Sequence, residues 1–238
     1  MTATSSPVRQ AARAIRRTMK YVLLSVCILF LAVHLMGLGH AVLPVKGTLN
    51  MILRPEGTTL RRAWVPIERI SPHLIRAVIA AEDASFCQHD GLDFDAIKAA
   101  IDNNQSGQRR RGGSTISQQT AKNVFLWNGG GYARKAAEAW FTLYIDAIWT
   151  KHRIMEVYLN IAEWGDGIYG AEAAAQARFG KPASDLTARE AALLAAVLPS
   201  PNKWRVDPPG NYVQNRAAML QQRARVVGND GLAACVTG

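Results

Sequence analysis

The segment from Ile70 to Gly91, ISPHLIRAVIAAEDASFCQHDG, decides the fold of this chain. Ser71 followed by Pro72 is typical of a helix start, because serine caps free backbone N–H groups and proline suits the first helical position. The glycine at the end of the segment closes a short polar stretch. The sequence therefore predicts a helix that begins at Pro72 and leads into a turn, a junction at which a cleft is easily built.

One carboxylate interrupts the apolar face of this predicted helix. Ile75, Ile79, Glu82 and Phe86 are spaced by four, three and four residues and so share one face. Apolar surroundings favour the neutral form of a carboxyl group and raise its pKa toward the range of a useful general base. Glu82 is thus a candidate base, and the alternative is a solvated helix carboxylate paired with a cation such as Arg76.

A second segment, residues 112–123, reads GGSTISQQTAKN. Gly112 and Gly113 allow the backbone to approach a ligand, and a helix that begins near Ser114 directs free N–H groups and its positive dipole end at that ligand. Gln118 and Lys122 are four residues apart, so we expect an amide and an ammonium group on one helix face. This pattern indicates an anion site.

The next predicted helix carries Arg134, Lys135 and Glu138 within one turn and a half. Such a cluster adds positive charge to the anion site if it lies nearby. The alternative is an ordinary exposed set of helix ion pairs, which contributes little to function.

The rest of the chain after residue 53 is predicted to be helical. Thr115 with Gln118, and Thr187 with Glu190, form capping boxes at two helix starts. Apolar residues at three-and-four spacing predict three further helices, and the alternating segment Val45–Leu53 predicts a short strand or extended stretch. The three predicted helices are Arg134–Trp149, Arg153–Ala162 and Tyr212–Val226.

Residues 21–43 contain no Asp, Glu, Lys or Arg and are long enough to cross a bilayer as a helix. They follow a basic tail, so the positive-inside rule places residues 1–20 in the cytoplasm and residues 44–238 outside. A cleaved signal peptide is the alternative, but the apolar run is long and the following GHAVLP makes a poor cleavage site. The basic residues of the tail are Arg9, Arg13, Arg16, Arg17 and Lys20.

The net charge of +10 exceeds what this tail supplies, and Arg109, Arg110 and Arg111 add a basic run. No nucleic-acid fold signature accompanies the run, so an anionic or pyrophosphate-bearing lipid is the expected partner. Cys27, Cys87 and Cys235 are too few for a disulfide framework or a zinc site. We do not expect the last two to pair, although an oxidising compartment would permit it.

Taken together, these segments resemble the peptidoglycan glycosyltransferases of glycosyltransferase family 51, in particular their monofunctional, membrane-anchored biosynthetic members. The resemblance runs from about Ile70 to Trp204, with six runs in family order. The runs are EDASFCQHDG, GGSTISQQTAKN, RKAAE, KHRIMEVYLN, GAEAAAQARFGK and EAALLAAVLPSPNKW. The resemblance implies a mainly α, lysozyme-like domain with a smaller membrane-facing lobe, after one transmembrane helix.

The resemblance also implies polymerisation of lipid II into β-1,4-linked glycan strands at the outer face of the inner membrane. Glu82 would deprotonate the acceptor 4-hydroxyl, and undecaprenyl pyrophosphate would leave with inversion. Glu138 would orient the cations that hold the pyrophosphate, or hold a divalent ion such as Mg²⁺ or Mn²⁺, with no cofactor required. Asp83 and His89 would orient Glu82.

Glu82 and Glu138 are the expected catalytic residues, and the partners are lipid II, the growing strand, the membrane and other cell-wall proteins, but no nucleic acid. The expected substrate-binding residues are Asp83, Phe86, His89, Gly113, Ser114, Thr115, Gln118, Gln119, Lys122, Asn123, Arg134, Lys135, Tyr158 and Asn160.

Two positions depart from the family pattern, and two other functions compete with the synthase. Gly130 stands where many relatives carry an arginine, so a pyrophosphate contact would be lost, and Cys87 stands where proline is frequent. A lytic transglycosylase also uses one glutamate, as an acid, but needs neither a cation cluster nor an anchor. An inactive membrane-anchored scaffold would not need Glu82 and Glu138.

Overall fold

The structure, a computed structural model, describes residues 7–54, 57–105 and 113–238. The chain divides between Leu43 and Pro44 into two compact units. The basic run Arg109–Arg111, expected to meet an anionic lipid, and Gly112, expected at the anion site, lie outside the described residues.

The first unit is one long helix, α1, which spans Pro7–His40. Its part from Arg13 to His40 has a mean hydropathy of 2.5 over its most apolar window and is long enough to cross a membrane. The expected basic tail and the expected span are therefore parts of a single helix. Which side of a membrane each end occupies stays a prediction.

The second unit is mainly helical, as the sequence predicted. Its helices are α2 (Leu49–Ile52), α3 (Pro72–Glu82), α4 (Phe94–Gln105), α5 (Ile116–Phe125), α6 (Tyr132–Ile148), α7 (Lys151–Ile161), α8 (Ala171–Phe179), α9 (Ala188–Val197), α10 (Asn211–Asn229) and α11 (Ala234–Thr237). A small sheet of β1 (Arg61–Arg62), β2 (Glu163–Gly165) and β3 (Ile168–Tyr169) has the order β1-β3-β2. β3 is parallel to β1 and antiparallel to β2.

Local sequence signals explain where the main helices begin. The Ser71 side chain accepts a hydrogen bond from the His73 amide at the start of α3. Both predicted capping boxes are present, at Thr115 for α5 and at Thr187 for α9. These caps satisfy some of the backbone N–H groups that a helix leaves unpaired at its first turn.

The prediction for Val45–Leu53 was wrong in part. Residues 49–52 form the short helix α2, and the Thr48 hydroxyl accepts from the Met51 amide at its start. Of the apolar residues in the alternation, Val45 and Met51 are buried, whereas Leu49 and Leu53 are exposed. The N-cap signal of Thr48 outweighed an alternation that covers too few residues to fix a strand.

The core of the second unit is centred on α9, whose residues from Ala191 to Val197 are all buried. α9 packs against α3 and α10, and α5 packs against α6 and α7. α3 thus belongs to the core while its last residue, Glu82, reaches the region of α5 and α7. This arrangement fixes a carboxylate at the end of a rigid helix.

The expectation that the cysteines stay unpaired was wrong, because Cys87 and Cys235 form a disulfide across 148 residues of chain. Cys87 lies in the turn after α3, and Cys235 lies in α11, which packs against α7. A pairing over such a separation depends on how the helices assemble, and spacing in the sequence carries no signal for it. Cys27 remains a free thiol.

Candidate active site

Glu82 ends α3 and is held by α5. The Gln119 side-chain amide donates to Glu82 Oε2 at 2.8 Å, and the Tyr158 hydroxyl lies 3.4 Å from Gln119 Oε1. Burial raises the pKa of Glu82, the Gln119 hydrogen bond and the charge of Arg216 oppose that rise, and Asp83 adds to it. The carboxylate is therefore oriented by an amide and kept receptive to a proton, which suits a general base.

Asp83 joins the end of α3 to the start of α5. Its oxygens lie 3.0 and 3.1 Å from His89 Nε2, and Oδ2 accepts from the Ile116 amide at 2.9 Å. The sequence expectation was that Asp83 and His89 orient Glu82. The geometry gives them a different contact, since they hold the first turn of α5, and it is Gln119 of that helix that holds Glu82.

The start of α5 also contacts the turn that follows Asp83. The Thr115 hydroxyl donates to the Gly91 carbonyl at 2.6 Å. A Cβ at Gly113 would come within 3.2 to 3.3 Å of α4, at Ile97 Cα, the Ala100 Cβ and the Ala96 carbonyl oxygen. Glycine at 113 thus permits a close approach of backbone to backbone.

Glu138, buried in α6, is surrounded by cations. Arg134 donates to its Oε2 at 2.7 Å, and Lys135 donates to its Oε1 and, at 3.3 Å, is within reach of the Ser114 hydroxyl. Burial lowers the pKa of Lys122, with Arg134 and Lys135 lowering it further and Glu138 opposing them. Three cations share one carboxylate, so the group has a net positive charge that an anionic ligand can neutralise.

A cavity of about 260 Å³ lies between α5, α7 and the small sheet. Its lining is mostly polar, with amides, hydroxyls, one ammonium and one carboxylate, a composition suited to the hydroxyls and amides of a sugar. The side chains that argue for this ligand class are Gln119, Lys122, Asn123, Tyr158, Glu163 and Tyr169.

The structure brings four of the predicted binding residues to this cavity, namely Gln119, Lys122, Asn123 and Tyr158. It gives three others internal partners. Phe86 is fully buried, the Gln118 carbonyl is used by the Thr115 amide in the capping box, and Asn160 bonds the Val65 amide and carbonyl. Their side chains serve the fold that carries the site.

Three residues near the site carried no recognised signal in the sequence. Asn50 of α2 donates to Asn123 at 3.1 Å, and Arg216 of α10 places its charge near Glu82. Burial raises the pKa of Glu163, a lining residue that accepts a 3.2 Å hydrogen bond from Asn202. The polar EWGDG stretch after α7 could have indicated Glu163, whereas Arg216 depends on the packing of α10 alone.

Among the described residues, one cluster has the ligand atoms to hold a metal ion, and Glu138 is the other place to consider. Ligand atoms of Asp83, His89 and Asp93 lie within 4.8 Å of one another. Glu138, where the sequence analysis allowed a divalent ion, has both oxygens bonded to Arg134 and Lys135.

A mainly helical domain with a buried carboxylate of raised pKa on α3 and a cationic cluster on α5 and α6 is suited to group transfer from an anionic donor. A family model described as "Transglycosylase" matches residues 49–228, and the chain belongs to this family.

Two named relatives match over more than 90% of the chain, and a third matches over 72% of it. The chain is 52% identical over 222 residues to the biosynthetic peptidoglycan transglycosylase of Rhodospirillum centenum, which covers 92% of this chain and 95% of that protein. It is 50% identical over 226 residues to the protein of the same name from Caulobacter vibrioides, covering 94% and 99%. The similarity to that of Shewanella oneidensis is 54% over 171 residues, covering 72% and 73%.

Proposed function

We propose that this protein is a peptidoglycan glycosyltransferase that polymerises lipid II into β-1,4-linked glycan strands. The observation that carries the proposal is the pairing of a buried, amide-held Glu82 with a cluster of three cations around Glu138. The names of the relatives, which share half of their residues with this chain, support the same activity.

Glu82 acts as the general base in this proposal. As the acceptor 4-hydroxyl oxygen attacks the anomeric carbon of the donor, its proton passes to the Glu82 carboxylate, and the bond from the anomeric carbon to the pyrophosphate oxygen breaks. Attack from the side opposite the leaving group converts an α-linked donor into a β-linked product. Gln119 fixes the rotamer of the base, so the carboxylate does not have to be ordered during the reaction.

The cation cluster stabilises the leaving pyrophosphate. A pyrophosphate needs little protonation to leave, but its charge must be held as the bond breaks. Lys122, with its lowered pKa, is poorly solvated, so an incoming phosphate competes with less water for it. Glu138 fixes Arg134 and Lys135 in place through direct hydrogen bonds.

We propose that the reaction needs no resident cofactor. Both carboxylate oxygens of Glu138 are already hydrogen-bonded, so a divalent ion there would have to displace Arg134 or Lys135. Polymerisation should therefore persist in EDTA. Loss of activity in EDTA that added Mg²⁺ or Mn²⁺ restores would contradict this proposal.

We further propose that α1 anchors the enzyme in the inner membrane, with residues 44–238 in the periplasm. The basic residues at the start of α1 support this orientation through the positive-inside rule. The Cys87–Cys235 disulfide supports it independently, because disulfides persist in oxidising compartments.

The deciding experiment is product analysis after incubating the purified protein with lipid II. Long glycan strands and released undecaprenyl pyrophosphate are expected. A lytic enzyme would instead shorten preformed strands, and a scaffold would turn over neither substrate. Either of those results would contradict the proposed function.

A further inference from the structure

The Cys87–Cys235 disulfide connects the active-site turn to the end of the chain. Cys87 lies between Glu82 and Gly91, and Cys235 lies in α11, which packs against α7. α7 supplies Tyr158 to the cavity. The cross-link therefore joins the turn that follows Glu82 to a helix that packs against α7, a helix that lines the cavity.

The turn that contains Cys87 also contains His89, whose ring lies edge-on to the Phe86 ring with the centroids 6.4 Å apart. His89 Nε2 faces both oxygens of Asp83. Its other ring nitrogen, Nδ1, is buried and has no hydrogen-bond partner among the described residues. With one ring nitrogen bonded, the ring takes its position from Asp83, from the Phe86 ring and from the backbone of the turn.

Besides the Asp83–His89 contact, a backbone hydrogen bond from the Gln88 amide to the Ser85 carbonyl, at 2.7 Å, lies within the turn, and further contacts lie at its edges. Phe86 is buried before Cys87, and the Gly91 carbonyl accepts from Thr115 at its end. Between them, Gln88 and Asp90 are exposed. The disulfide, two residues before His89, is the covalent contact closest to that ring in the described part of the chain.

A chain of contacts leads from the disulfide to the base. His89 holds Asp83, and Asp83 accepts from the Ile116 amide in the first turn of α5. The same helix carries Gln119, which bonds Glu82. A shift of the turn would therefore reach the base through α5, and small misplacements of a reacting group lower turnover strongly.

We propose that Cys87 and Cys235 are positioning residues for transglycosylation: their disulfide fixes the turn so that Asp83, α5 and Gln119 hold Glu82 in its reactive orientation. This inference rests on the proposed function. A cross-link that only stabilises the fold would change the unfolding temperature and leave turnover by folded enzyme unchanged. A positioning cross-link changes kcat in protein that is still fully folded.

The test compares oxidised and reduced enzyme in a Cys27→Ser background, in which the remaining thiols report only on this bond. Dithiothreitol converts both sulfurs to thiols and is itself oxidised to its cyclic disulfide. Assays with lipid II run at a temperature where circular dichroism shows both forms fully folded. We expect kcat to fall roughly tenfold on reduction, with KM within about twofold, because two of the three donor-binding cations, Arg134 and Lys135, lie on α6, outside the chain of contacts from the disulfide to Glu82.

Two comparisons separate the bond from the reagent. The Cys87→Ser/Cys235→Ser double variant should match the reduced enzyme and should not respond to dithiothreitol. Removal of the reagent and re-oxidation should restore kcat in the parent protein only. Equal kcat in oxidised and reduced enzyme, or two free thiols in enzyme purified from an oxidising compartment, would overturn the inference.

A second readout does not depend on turnover. Reduction should speed hydrogen exchange of the Ile116 amide, which Asp83 accepts, and leave the Ala191 amide of α9 unchanged. If oxidised enzyme makes no glycan from lipid II, the proposed function fails, and the Ile116 amide still decides the inference. Unchanged exchange at Ile116 would show that the turn does not need the disulfide.

Discussion

At the scale of single residues, the site depends on placing charge where water is scarce. Glu82 is a carboxylate whose burial opposes ionisation, and Lys122 is an ammonium group whose burial does the same. Each costs stability in its charged form, and each gains reactivity toward a proton or a phosphate for the same reason. In the proposed mechanism, these two groups set the pH range of the reaction.

Replacing the base tests its role most directly. Glu82→Gln keeps the shape and the contact to Gln119 but removes proton acceptance, so polymerisation should fall by roughly a hundredfold or more. Donor binding, measured by titration with a lipid-pyrophosphate analogue, should change little. Glu68→Gln, at an exposed carboxylate paired with His152, is the matched control and should retain full activity. Near-normal strand synthesis by Glu82→Gln would remove Glu82 from the mechanism.

The pH profile of kcat/KM should be narrowed from both sides. The base works only when ionised, so activity is lost as pH falls through a Glu82 pKa that lies above its ordinary 4.5. Lys122 holds phosphate only when charged, so donor binding weakens as pH rises through a pKa below 10.5.

The stability of the fold depends on the pKa of Glu82 in the opposite direction to activity. A raised pKa in the folded state stabilises the fold at low pH and loses that contribution as pH rises through it. Glu82→Gln should thus be at least as stable as the parent at neutral pH, as thermal unfolding would show.

Gly130 illustrates how a backbone angle limits a side chain. Its φ is +86°, and a Cβ there would come within 3.0 Å of the Arg134 Cδ. Gly130→Arg should therefore cost about 1–3 kcal/mol of stability from strain and displace Arg134 from Glu138, without tighter donor binding.

Gly131→Arg is the matched variant, because φ at Gly131 is −97° and nothing lies near the added Cβ. It should bind a lipid-pyrophosphate analogue several-fold more tightly at low salt and lose the gain at moderate salt. Tighter binding by an equally stable Gly130→Arg would contradict this reading.

At the scale of secondary-structure elements, α5 contributes three side chains to the lining of the cavity. Its first turn is held by its own capping box and by Asp83, and its body presents Gln119, Lys122 and Asn123 to the cavity. α9 begins with the same type of capping box but belongs to the core. The two helices therefore begin with the same capping interaction, but only α5 places side chains at the site.

This pairing allows an element-level prediction. Thr187→Ala should cost about 1 kcal/mol of folding free energy, measured by urea denaturation, because it removes one cap. Thr115→Ala should cost more, because it also removes the hydrogen bond to the Gly91 carbonyl. Only Thr115→Ala should also lower kcat, since α5 positions Gln119 against Glu82. A comparable loss of kcat in Thr187→Ala would show that the activity follows global stability instead.

The same elements show what the sequence could and could not predict. Helix starts at Ser71, Thr115 and Thr187 were predictable because a cap and its helix are neighbours in the chain. Gln118 was taken for a ligand contact because it shares a face with Lys122, yet its position in the capping box settles its partner locally. Arg216, in contrast, reaches the site only through the packing of α10, which leaves no mark on the local sequence.

At the scale of the whole molecule, the chain consists of an apolar helix of membrane-spanning length and a helical domain, and the boundary follows Leu43. A lipid-linked donor is confined to the bilayer, so an anchored enzyme searches for it in two dimensions. A reporter that is active only in the periplasm, fused after Gly238, should therefore be active in cells. Activity of a cytoplasm-only reporter at that position, or a mature N-terminus beyond Leu43, would contradict the anchor and its orientation.

The length of α1 has a mechanical consequence. A helix of 34 residues is about 51 Å long, whereas the hydrocarbon core of a bilayer is about 30 Å thick. The excess lies at the arginine-bearing end, because Arg13, Arg16 and Arg17 belong to the same uninterrupted helix as the apolar span. In a bilayer, these guanidinium groups would lie at the level of the phosphate headgroups, where they should attract acidic lipids around the helix. In a bilayer the enzyme would carry an anionic lipid annulus with it as it diffuses.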